Sequence, residues 1–234
     1  MEKEIDLAGI VAIVGNYGSG KTEISINLAV NRKRAGLAVR IADLDLVNPY
    51  FRTREAKDTL EAWGIDVVLP PDEYLQADLP ILSPLVAGMI REPAQLTLLD
   101  VGGNDVGARV LATLKDAFQD RPARMLQVVN PMRPGTSTLE GCWDIQKGIE
   151  KMAGMAVSGY IGNANLIDET RAEEITNGYA FVKSLSEERG LPLEFITVPR
   201  EIRTQIDPSR FDCPILVIDR QLVPPWKKAQ AFQT

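Results

Sequence analysis

The sequence predicts an α/β fold: a single doubly wound, mostly parallel sheet of about seven to eight strands with helices on both faces. Three observations carry this prediction. Short β-branched or aliphatic runs alternate with helix-period patterns from end to end. Most of these runs are continuously apolar, as strands covered on both faces are. A glycine-rich turn joins the first run to the first helical pattern. The expected strands are Gly9–Val14, Ala38–Ala42, Asp66–Leu69, Leu96–Asp100, Met125–Val129, Val157–Ile161, Glu194–Val198 and Ile215–Ile218.

Helices are expected between them. Behind the glycine turn, Ile24 and Leu28 share one helical face. The stretch "DVGARVLATLKDAF" places Val106, Val110, Leu114 and Phe118 on one face behind an Asp105 cap, and Ser137 with Glu140 forms a capping box. From Arg171 to Arg189, Ile175, Tyr179, Val182 and Leu185 form a stripe. Two segments stand apart. Leu69 to Leu85 is proline-rich and acidic, either a plain surface connection or an excursion over a site. Residues 219–234 form an extended C-terminal tail that docks or frays, carrying Trp226, Lys227, Lys228 and Phe232. No repeat or linker divides the chain, so residues 1–234 are expected to form one domain.

The bulk composition excludes several functions. With 26 basic and 32 acidic residues the net charge is −6, which argues against nucleic-acid binding as the main task. There is no histidine, and the two cysteines, Cys142 and Cys213, lie far apart. Common zinc sites, a one-chain iron–sulfur cluster and a histidine base are thereby removed. An acidic start that reaches a strand almost at once, and no apolar run of membrane-spanning length, lead to the expectation of a cytoplasmic protein without a membrane span.

"VGNYGSGKT", Val14 to Thr22, carries G-x-x-x-x-G-K-[ST] between a strand and a helix. Glycines let backbone N–H groups turn inward around phosphates, and the helix N-terminus favours anions. The expected nucleotide-binding residues are Gly15, Asn16, Tyr17, Gly18, Ser19, Gly20, Lys21, Thr22 and the adjoining Glu23. Lys21 would reach the β/γ-phosphates and Thr22 a Mg²⁺ ion. At the end of the second strand, "ADLDLVNPYFR" puts Asp43 and Asp45 at alternate positions, where both could face one side. One of them would orient water or hold the metal shell. "QLTLLDVGG" delivers Asp100 to the same sheet edge, reaching Mg²⁺ through water, with Gly103 free to approach a γ-phosphate. The metal set is therefore Thr22, Asp45 and Asp100, and the catalytic set Asp45, Lys21 and Asp43.

These three elements together resemble the MinD/ParA/CobQ–CobB group of P-loop NTPases, the SIMIBI class, over most of the chain from Gly9 to about Val198. The resemblance implies that Asn163 or Asn165, and the loop from Pro199 to Glu201, flank a purine. The chain lacks that group's second lysine: Asn16 and then Tyr17 stand there, which puts activation across a homodimer in doubt, with Arg52, Arg54 or Arg109 as substitutes. "NLID", Asn165 to Asp168, resembles the GTPase N-K-x-D motif without its lysine, while Asp168 also fits a helix cap. The resemblance and the missing lysine favour ATP, with GTP still open. The leading expectation is a Mg²⁺-dependent ATPase that switches a protein partner, with "NPYFR" as the partner face and a homodimer implied by resemblance alone. The alternatives are an ATP-dependent kinase or ligase acting on a metabolite, and a GTPase.

Overall fold

The computed structural model describes residues 3–45, 52–69, 84–119, 121–224 and 226–232. The stretch Asn48–Phe51 and most of Leu69–Leu85 lie outside the described residues, as does the Val106 side chain. Eight strands form one sheet: β1 (Gly9–Gly15), β2 (Val39–Leu44), β3 (Asp66–Val68), β4 (Leu96–Val101), β5 (Ala123–Val129), β6 (Gly159–Gly162), β7 (Leu193–Pro199) and β8 (Ile215–Ile218). Their order is β3-β2-β4-β1-β5-β6-β7-β8, and every described pairing is parallel. Each expected strand overlaps an observed one.

The strands read as continuous apolar runs because both faces are covered. Along β1, Val11 and Ile13 join one core while Ile10, Ala12 and Val14 join the other. The first core is closed by α1 (Lys21–Arg34) through Ile24, Ile26 and Leu28. The second is closed by α3 (Pro84–Arg91), α4 (Asn104–Thr113), α6 (Leu139–Ala153) and α7 (Ala172–Arg189). The short helices α2 (Lys57–Ala62) and α5 (Lys115–Phe118) finish the edges. Each fully buried Leu, Ile or Val contributes about 1.5–3 kcal/mol, so the two slabs dominate stability. β1 lies between β4 and β5, and the chain leaves it in one direction and returns past it in the other. Its carboxyl end is therefore the crevice where open α/β sheets place their sites.

Two caps differ from expectation. Asp105 lies inside the first turn of α4, whose N-cap is Gly103, and the predicted single helix divides at Leu114 into α4 and α5. The α6 cap is Thr138, not Ser137: its Oγ1 accepts from the Gly141 N–H at 3.1 Å, the reach that a cap three residues upstream provides. The α7 stripe forms with Ile175, Val182 and Leu185 buried, while Tyr179 meets Phe211 edge-on at 4.9 Å. Both cysteines are buried and free.

Helix α7 approaches the segment after β6 closely enough that a Cβ on Gly178 would fall 2.2 Å from the Ala164 Cβ. Gly178→Ala is therefore expected to lower the unfolding free energy by about 1–3 kcal/mol, measured by urea denaturation. An unchanged midpoint would contradict this packing.

Candidate functional site

The loop between β1 and α1 is shaped by its glycines and by one asparagine from across the sheet. Gly20, the α1 N-cap, sits at φ 94°, a left-handed conformation. A Cβ there would lie 2.3 Å from the Asn163 Nδ2. That amide donates to the Ser19 carbonyl at 2.6 Å, and its Oδ1 accepts from the Thr197 hydroxyl. Asn163 thus clamps the loop to β6 and β7 with both ends of its amide. Lys21, buried to 6% exposure, donates to the Asn16 carbonyl at 3.1 Å. Burial lowers its pKa, while the Asp100 and Asp45 charges oppose that shift.

Tyr17, Gly18, Gly20, Lys21 and Thr22 line a cavity of about 400 Å³. Asp45, Gly103 and Asn163 line it too, and Asn165, Ile167, Pro199, Ile202 and Leu222 surround its far end. Gly15, Asn16 and Ser19 belong to the same loop but do not line the cavity. Gly103 is pressed onto the loop: a Cβ there would lie 3.1 Å from the Tyr17 Cα and 3.4 Å from the Lys21 Nζ.

The acids divide their tasks. Asp43 and Asp100 are register partners on β2 and β4, both with side chains toward α1. Asp100 is fully buried and bonded by the hydroxyls of Thr22, Ser25 (3.3 Å) and Thr53 (2.8 Å). Burial first, and then the Asp43 charge, push its pKa up to about 7, against the Thr53 bond and the Lys21 charge. Asp43 does not line the cavity. Its Oδ2 accepts from the Arg54 Nε at 3.1 Å and its Oδ1 from the Asp45 N–H at 3.0 Å, so both oxygens are engaged within the fold. Asp45 lies one residue past the end of β2. Arg54, expected as a substitute cation, is committed to this pair, and Arg109 is exposed on α4.

Glu23 lines the cavity as well and also reaches the tail. Its carboxylate faces the C-terminal segment, accepting the N–H groups of Gln221 (2.8 Å) and Leu222 (2.9 Å), while Asn27 bonds the Asp219 backbone. Burial raises its pKa and these amides lower it. The tail therefore docks on α1, and Phe232 packs edge-on against Trp63 at 6.1 Å. Asp168 is paired with Arg220 (2.9 Å) and Lys227 (2.5 Å), and the Lys227 bond lowers its pKa. It caps no helix, since it lies in a 3₁₀ turn before α7. Beside it, Ile167 is held at φ 63° by the Asn165 Oδ1, which accepts its N–H at 2.6 Å. A β-branched residue in this conformation is strained, and it stands at the cavity wall.

Sequence reasoning missed Ser25, Thr53, Asn130, Thr197 and Arg133, whose roles depend on partners far along the chain. Only the hydroxyls at Thr22 and Ser25, one helical turn apart, offered a local signal. Among the described residues no group of three or more histidine, cysteine, aspartate or glutamate side chains could hold a metal. A divalent cation would instead need phosphate oxygens and water to complete its shell, and the hard oxygens of Thr22, Asp45 and buried Asp100 fit that demand.

A strand, a glycine loop and a helix at the reversal of an all-parallel sheet define the fold of the P-loop NTPases. No family model matches the sequence, and no curated protein does. Among solved structures the chain is similar to the cell division protein FtsY from Thermotoga maritima (TM-score 0.58, 22% identity, 90% of this chain and 70% of that one). It is similar to FtsY from Mycoplasma mycoides (TM-score 0.56, 21% identity, 83% and 62%). The 54 kDa signal recognition particle protein from Aeropyrum pernix K1, in complex with GDP, is similar as well (TM-score 0.54, 20% identity, 82% and 42%). The chain thus spans between 42% and 70% of the length of these structures, and the likeness carries the fold. No described helix is long and apolar enough to cross a membrane.

The raised pKa of Asp100 fixes a sign. Between the ordinary carboxyl range and about 7, the folded chain keeps a proton that the unfolded chain has released, so Asp100 opposes folding increasingly as pH rises through that window. Without nucleotide or divalent cation, Asp100→Asn is expected to raise the melting temperature relative to wild type more at about pH 8 than at about pH 5.5. An equal difference at both pH values would contradict the buried-carboxyl assignment.

Proposed function

We propose that the protein binds a nucleoside triphosphate with Mg²⁺, ATP in preference to GTP, and hydrolyses it as a switch for a partner. The observation that carries this reading is that Gly18, Gly20, Lys21 and Thr22 of the phosphate loop line one cavity together with Asp45 at the carboxyl end of the sheet, with Asp100 buried directly behind Lys21 and Thr22. Phosphoryl transfer asks chiefly for positioning and charge neutralisation. Lys21 meets the phosphate charge. Thr22, Asp45 and Asp100 would hold the Mg²⁺ shell, which when bound neutralises charge on the phosphate oxygens. Asp45, lining the cavity beside Gly103, orients the attacking water. The absence of histidine leaves no competing imidazole base.

The base end supports ATP. Ile167, Ile202 and Leu222 offer apolar surface to either purine. The acid that a guanine edge would need, Asp168, is held by Arg220 and Lys227, and Leu166 stands in place of a lysine. GTP is the second reading, favoured by the fold's likeness to a protein crystallised with GDP. The resemblance to the MinD/ParA/CobQ–CobB group supports a switch over a metabolic kinase or ligase. Gly103, in the loop after Asp100, approaches the phosphate loop directly, so the loss of a γ-phosphate would be felt there.

Purified protein is expected to release phosphate from ATP slowly, with Mg²⁺ and without a small-molecule acceptor. Asp45→Asn should lower kcat by roughly 10²-fold while ATP affinity stays within about threefold. Wild-type turnover in Asp45→Asn would contradict the assignment. ATP use that appears only with a metabolite would move the reading to a kinase or ligase.

A further inference from the structure

Three basic side chains line the cavity: Lys21, Arg133 and Arg220. Lys21 is engaged with the Asn16 carbonyl, and Arg220 with Asp168. Arg133 differs. Its Nε is buried and has no hydrogen-bond partner among the described residues. That nitrogen lies 3.9 Å from where a Cβ on Gly18 would stand, so it flanks the middle of the phosphate loop. A buried guanidinium nitrogen without an acceptor costs free energy, and of the arginines with such a nitrogen among the described residues Arg133 alone lines the cavity, where a ligand could supply the acceptor.

The backbone that carries Arg133 is braced. Its N–H donates to the Asn130 carbonyl at 3.1 Å, and its own carbonyl accepts from the Thr136 N–H at 3.2 Å. The Thr136 hydroxyl closes the same turn on the Asn130 carbonyl at 2.6 Å. The Asn16 Nδ2 donates to the Pro134 carbonyl at 2.9 Å, tying this turn directly to the phosphate loop. The turn that carries the cation is thus set beside the phosphate loop before any ligand arrives, which limits the reorganisation that binding would require.

We propose that Arg133 is a second phosphate-binding cation, supplied within the chain and set over Gly18, that grips the phosphate chain of the bound nucleotide opposite Lys21. The proposal rests on the nucleotide reading above and adds a residue to it. A planar guanidinium suits paired phosphate oxygens better than an ammonium does.

The test is an equilibrium titration of the full chain with ATP, ADP and AMP in Mg²⁺ buffer, for wild type, Arg133→Ala and Arg133→Lys. Arg133→Ala is expected to weaken ATP about tenfold or more and AMP much less, with Arg133→Lys restoring part of the loss. The unliganded Arg133→Ala protein should melt no lower than wild type, because no protein acceptor is lost. ATP affinity within about twofold of wild type, or equal weakening of all three ligands, overturns the proposal while leaving the nucleotide site standing. Wild type that binds none of the three overturns the nucleotide reading and this inference with it.

Discussion

A buried ammonium held among carboxylates is the constraint on which the rest of the molecule depends. Lys21 lies at the first turn of α1 and feels the charges of Asp100 and Asp45. Asp100 in turn feels Asp43, its register neighbour. Taking such charges out of water is costly unless each finds partners. Arg54 balances Asp43, three hydroxyls satisfy Asp100, and the pKa of Asp100 rises toward neutrality. The cluster is thereby left ready for another cation. That readiness links the sheet to the proposed chemistry, because β2, β4 and α1 each deliver one part of it.

The same helix ties the two ends of the site together. α1 is buried nearly all round, since the sheet covers one face and residues 219–222 cover another. Glu23, two residues after Lys21, lines the cavity and turns its carboxylate to the C-terminal segment. It holds the tail whose Arg220 and Lys227 occupy Asp168. One turn of helix therefore reaches both the phosphate loop and the base end. The strained Ile167 stands between these contacts, where a fixed apolar wall is useful for stacking a flat ligand.

Much of this was legible in the sequence because its cause is local. Continuous apolar runs mark strands covered on both faces, and all eight appear. The phosphate loop is legible because strand, glycines, lysine and helix are contiguous. Roles decided by distant partners were not. Asp43 and Asp45 look equivalent in the sequence, yet Asp45 lines the cavity while Asp43 is engaged by Arg54. Asn163, with Asn165 a candidate to flank the base, lines the cavity and also bonds Ser19 and Thr197, partners that spacing does not reveal. Glu23 reads as part of the cradle, and its bonds to the tail are not visible in the spacing. Asp105 and Ser137 missed being caps by one or two residues, a shift that spacing alone cannot resolve.

The central claim is that this loop grips a triphosphate through its amides and Lys21. Calorimetric titration of wild type and Lys21→Ala with ATP and with GTP, each with and without Mg²⁺, tests it most directly. The account predicts one saturable site in wild type, tighter for ATP and dependent on Mg²⁺, with affinity reduced about 100-fold or more in Lys21→Ala. Wild type that shows no saturable binding of either nucleotide, or a Lys21→Ala protein that binds as wild type does, would contradict it.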